Sequence, residues 1–66
     1  MEFPIRYEVY DKITKKSVIV DVTEEDLLER YGKITEPSKI FIKDLACRRE
    51  LHSWSRYNNL VPRRLK

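Results

Sequence analysis

One cysteine, one histidine and one glycine in 66 residues already exclude several kinds of protein. With Cys47 alone no internal disulfide can form, and with only His52 beside it a closed zinc site of four Cys/His ligands is excluded too. A single glycine, Gly32, leaves no room for the glycine-rich loops that cradle phosphates. The longest apolar runs are Val18-Ile19-Val20 and Ile40-Phe41-Ile42, far short of the roughly 20 residues a membrane helix needs, so no membrane contact is expected. Met1-Glu2-Phe3-Pro4 lacks the basic and then apolar stretch of a signal peptide. Together with the lone thiol, this points to a cytoplasmic location. No motif calls for a cofactor.

What is present is a composition of 41% hydrophobic and 38% charged residues, which suits a folded domain rather than a disordered tail. The length fits one small domain over residues 1–66. A chain of this size buries only roughly 60% of the surface it exposes when unfolded, so a partner is a reasonable further source of stability. The net charge of +3 conceals an asymmetry. Residues 1–36 carry six Lys/Arg against nine Asp/Glu, whereas residues 37–66 carry eight against two. From Leu51 onward there is no acid at all.

Phe3, Ile5, Tyr7 and Val9 alternate with Pro4, Arg6, Glu8 and Tyr10, and Val18, Val20 and Val22 alternate with Ser17, Ile19 and Asp21. This two-residue period predicts an antiparallel hairpin, and the absence of glycine between the strands favours a loop of several residues built on a type I turn. Thr23 suits a helix N-cap, Glu24, Glu25 and Asp26 complement the helix dipole, and Gly32 suits the left-handed residue that closes a helix. A helix over about 23–31 follows.

Residues 39–43 read as a short third strand or as part of a longer helix. The apolar stripe changes phase around Ala46, with Phe41, Ile42, Leu45 and Ala46 on one side of a helical projection and Cys47, Leu51 and Trp54 on another. That favours a strand followed by a second helix over about 44–57, N-capped by Asp44, with Asn58-Asn59 ending it before a basic tail over about 60–66. The expected fold is therefore α+β, a small ββαβα domain whose three-stranded, mainly antiparallel sheet is packed by two helices. The expected core is Ile5, Tyr7, Val9, Val18, Val20, Val22, Leu27, Leu28, Tyr31, Ile40, Ile42, Leu51 and Trp54.

On a helix over 44–57, Arg49, His52 and Arg56 recur at i, i+3 and i+7 with Arg48 beside them, and Arg63, Arg64 and Lys66 extend the charge. Cations spaced along a surface with Tyr57 to stack on bases would suit a nucleic acid, DNA or RNA. A solvated helix face with a basic terminus accounts for the same residues. Helix capping likewise accounts for Glu24, Glu25 and Asp26, and a small core for most of the aromatics. Tyr10 and Tyr57 are the aromatics expected at the surface.

Cys47 and His52, five residues apart, do not face each other on a helix, and Cys47 falls on the core stripe. A nuclease-like grouping of Arg49, Glu50, His52 and Tyr57 has too little chain around it to enclose a pocket, so neither catalysis nor a metal site is expected. The expected function is that of a non-enzymatic binding module using its basic helix and tail on nucleic acid. The alternative is a small protein-binding regulator or inhibitor, of the kind mobile genetic elements encode, acting through the hairpin edge at Tyr10 or through the basic helix. A homodimer through the free edge of the sheet is compatible with either.

Overall fold

Alternation at period two builds the hairpin that organises everything else. The computed structural model describes residues 2–51 and 54–65, with side chains for all of these except 50, 51 and 54–56. Strand β1 (Ile5–Asp11) and strand β2 (Lys16–Val22) pair antiparallel, with Ile5 opposite Val22 and Asp11 opposite Lys16. The four-residue loop is held from inside. Buried Asp11 accepts the backbone N–H of Ile13 on Oδ1 at 2.8 Å, and its carbonyl accepts the Lys15 N–H at 2.8 Å. Lys15 takes the left-handed conformation, φ 59°, that the turn requires.

Helix α1 (Glu24–Tyr31) begins and ends as its sequence predicts. Thr23 Oγ1 accepts the Asp26 N–H while the Asp26 carboxylate accepts the Thr23 N–H, a reciprocal cap of two first-turn donors. Gly32, at φ 72°, closes the helix by donating to the Leu28 carbonyl.

The α+β class, the three-stranded antiparallel sheet and the two helices stand as expected, but the last elements are distributed differently. Residues 39–43 are not a strand. They open helix α2 (Lys39–Ala46), N-capped by Ser38, whose hydroxyl accepts the Phe41 N–H at 3.2 Å. Asp44 is therefore not a cap. The single helix over 44–57 is likewise replaced by a π-helical turn (Cys47–Leu51) and a 3₁₀ helix (Trp54–Asn59). The π turn supplies the physical reason. An i→i+5 turn accommodates one extra residue and rotates the apolar stripe, so the phase change at Ala46 marks a bulge within one helical segment rather than a strand-to-helix junction.

The basic tail over 60–66 is also corrected, since most of it is strand β3 (Leu60–Arg64). It pairs antiparallel with β1 on the side away from β2, Asp11 opposite Leu60 and Tyr7 opposite Arg64, giving the order β2-β1-β3. Lys66 lies outside the described residues.

The core lies between the sheet and the helices, where Ile5, Tyr7, Val9, Val20, Val22, Leu27, Phe41, Ile42, Leu45, Ala46, Cys47 and Leu60 are buried. Leu28, Tyr31 and Ile40, expected inside, are exposed, Ile40 by 68%. A helix over 39–46 separates Ile40 from Ile42 by about 200°, so burying Ile42 turns Ile40 outward. Tyr31 instead covers the rim, with its ring edge-on to Phe41 at 5.3 Å and its hydroxyl 2.6 Å from Ser38 Oγ. The side chains of Leu51 and Trp54, also expected in the core, lie outside those described.

Candidate interaction surfaces

The cationic residues singled out from the sequence do not gather into one ridge. Arg48 turns back one helical turn onto Asp44, with Nη2 2.7 Å from Oδ2 and Nε 3.2 Å from Oδ1. Arg49 reaches Asp26 at 3.7 Å and donates to the Asp21 carbonyl at 3.3 Å. Because strand residues alternate, Arg63 and Arg64 lie on opposite faces of the sheet. Arg63 pairs with Glu8 at 3.2 Å and Arg64 with Glu36 at 2.7 Å. Tyr57 is half-buried against the core, with the Lys43 ammonium 5.7 Å from its ring centroid. His52 lies outside the described residues, as does the Arg56 side chain.

Two ion-paired centres belong to the fold. Asp44, only 1% exposed, receives Arg48 and also Arg30, whose Nη2 stands 2.6 Å from Oδ2. Arg30 also lies over the Phe41 ring at 5.4 Å, so one carboxylate of α2 ties α1 to the π turn that follows α2. A cleft of about 270 Å³ beside this clamp is lined by Asp26, Glu29, Arg30, Phe41, Leu45 and Arg48. Both guanidinium groups that reach it are already committed to Asp44.

At the second centre the Tyr7 hydroxyl donates to Glu36 Oε1 at 2.9 Å, the same oxygen that receives Arg64. Burial, and then this hydrogen bond to a carboxylate, push the Tyr7 phenol up to about 12. A raised folded-state value means the fold holds the protonated phenol. Its contribution is intact below the unfolded phenol's value of 10 and is lost as pH rises from there through about 12. Alkaline unfolding is therefore expected to begin within that window. In Tyr7→Phe, circular dichroism against pH should lose the corresponding step; an unchanged curve would remove Tyr7 from the account.

The helices cover only one face of the sheet. On the other, Tyr10 lies between Ser17 and Val61, Glu8 lies between Ile19 and Arg63, and Arg6 lies beside Asp21. Tyr10 is 40% exposed, Ile19 52% and Val61 42%. The charges among them are mutually paired. Arg6 grips Asp21 through two bonds of 2.8 and 3.2 Å, and this hydrogen-bonded guanidinium holds the Asp21 carboxyl below its ordinary value. Arg63 pairs with Glu8.

The remaining charge separates along the strands. At the hairpin end Lys12, Lys15 and Lys16 are exposed, with no acid at ion-pair distance among the described residues. At the opposite end of β2, exposed Glu24 and Glu25 begin α1. Summing charge by halves of the chain hides this polarity. The signal was there in Lys12, Lys15 and Lys16, whose only neighbouring acid, Asp11, is turned inward.

Among the described residues no group of three or more His, Cys, Asp or Glu could hold a metal ion, and no helix is long and apolar enough to cross a membrane. Comparison with protein-family models, with curated proteins and with solved structures yields no match. The class is thus set by architecture, a small α+β domain with one sheet face under helices and the other open.

Proposed function

We propose that this chain is a non-enzymatic protein-binding module that presents the open face of its sheet to its partner. The observation that carries this reading is the composition of that face. An exposed tyrosine on the central strand lies beside Val61 and diagonal to Ile19, and the neighbouring charges already neutralise one another. A partner docking there covers an aromatic anchor without having to bury an unpaired charge. A face built to hold phosphates would keep its cations uncommitted, whereas Arg6 and Arg63 are engaged by Asp21 and Glu8.

The test is affinity capture from nuclease-treated lysate of the source cells, comparing the wild type with Tyr10→Arg and Ile19→Arg, each verified as folded by circular dichroism. A protein retained by the wild type should bind either variant at least ~30-fold more weakly, as expected for a central interface anchor. Equal retention by all three would remove the reading.

A second reading, nucleic-acid binding, is favoured by one observation, the exposed Lys12, Lys15 and Lys16 with Lys43 stacked on Tyr57. Four lysines neutralising duplex phosphates give a slope of log K against log salt of about −4. Fluorescence anisotropy with a labelled duplex measures it, and loss of every captured partner on nuclease treatment would favour this reading over the first.

A further inference from the structure

The two outer strands of the sheet are not equivalent. Leu65 donates its N–H to the Arg6 carbonyl, so Arg6, Glu8 and Tyr10 turn their peptide groups toward β3, while Ile5, Tyr7, Val9 and Asp11 turn theirs toward β2. On the far side of β3 the outward positions include Pro62, which has no N–H to offer. On the far side of β2 they are Ser17, Ile19 and Asp21. The Asp21 carbonyl is taken by Arg49, and no backbone hydrogen bond occupies Ser17 or Ile19 among the described residues. Between Lys16 and Val22 there is neither proline nor glycine, and four of the seven residues are valine or isoleucine. Edge strands without such protection recruit another strand.

We propose that the edge of β2 pairs with the same edge of a second copy, antiparallel about a two-fold axis, to join two three-stranded sheets into one of six strands. Setting Ser17 against Ile19 of the other copy uses the N–H and C=O of both residues on each chain and leaves Arg49 on the Asp21 carbonyl undisturbed. The axis then passes at Val18, half-buried in the single chain, and Ile19 gains Ser17 of the other copy as a cross-strand neighbour. In this register Lys16 of each copy falls opposite Val20 of the other, which brings the lysine end of each hairpin toward Asp21, Glu24 and Glu25 of the other copy.

Charge complementarity identifies the occupant. β2 runs from an exposed lysine end to an exposed glutamate end, and only an antiparallel copy brings unlike ends together, twice over. A parallel arrangement would set lysines on lysines. An edge-to-edge contact of this length falls below the ~1,200 Å² of a standard interface, so the pair is weak and sensitive to salt. This inference rests on the β2 edge and not on the open face around Tyr10.

Sedimentation equilibrium at low salt, from about 10 μM to about 1 mM, reads the association of the purified chain. The wild type is expected to self-associate, more weakly as salt rises. Lys15→Glu/Lys16→Glu and Glu24→Lys/Glu25→Lys should each raise the dimer dissociation constant by at least ~10-fold, since each sets like charges together. An equimolar mixture of the two folded variants should restore association, because both ends then become complementary. Tyr10→Arg should leave self-association unchanged. A wild type monomeric throughout, a mixture that fails to associate, or a dimer lost in Tyr10→Arg would each overturn the proposal, the last in favour of the open face.

Discussion

Replacing Arg30 and Arg48 together by methionine is expected to destabilise the domain by about 3–5 kcal/mol, a large share of its stability. A chain of this length is stabilised by about 3–10 kcal/mol in total, on the usual scale of 0.05–0.15 kcal/mol per residue. Asp44 is buried at the junction of α1 and α2, and its two guanidinium partners are the charged groups that reach its Oδ2 within 2.7 Å. Removing both leaves a carboxylate out of water with its counter-charges gone, which costs far more than the ion pairs themselves contribute. The asymmetry yields a second result. Asp44→Asn in the same background should recover much of the loss, because the stranded charge disappears. Urea denaturation of the wild type, double and triple variants measures this. A double variant within about 1 kcal/mol of the wild type would mean that the carboxylate reaches water by another route.

The pair Ile42→Ala and Ile40→Ala should separate by several kcal/mol although the residues are identical and two apart. Ile42 is almost completely buried against the sheet, and truncating a core isoleucine costs about 2–5 kcal/mol. Ile40 stands in solvent on the far side of α2, where the same change should stay within about 0.5 kcal/mol. Were residues 39–43 a strand, positions 40 and 42 would share one face and the two losses would be similar. Denaturant midpoints of the two variants thus decide between helix and strand at this segment, and comparable losses would overturn α2.

That contrast marks the limit of what could be read from the residues alone. The hairpin and α1 were legible because their determinants are local: alternation in 5–11 and 16–22, a capping threonine, three acids and a closing glycine. Ile40-Phe41-Ile42 satisfies a short strand and a helix equally, and the deciding cap, Ser38, lies two residues beyond the apolar run. A π turn breaks the regular projection on which stripe analysis depends. Strand β3 was hidden because Leu60-Val61-Pro62-Arg63-Arg64 is short, cationic and contains a proline, and because its partner is β1, at the other end of the chain. Its identity resides in that distant pairing.

The candidate surface divides in the same way. The outward position of Tyr10 follows from strand parity. The neutralisation of Arg49, Arg63 and Arg64 depends on acids 23 to 55 residues away, which no local pattern reveals. The Arg48–Asp44 pair, at four residues, was within reach and was obscured by assigning Asp44 to a cap.

The middle strand of the sheet, β1, precedes both of its neighbours in the sequence, and β3 is the later of the two to join it. During synthesis β1 can acquire β2 at once, yet its other flank, from Tyr7 to Asp11, has no mate until Leu60 to Arg64 have emerged from the ribosome. Until that pairing forms, the sheet is only a two-stranded ribbon, marginal on its own. A slow codon or a stall near residue 60 would prolong the interval in which that ribbon is open to foreign strands.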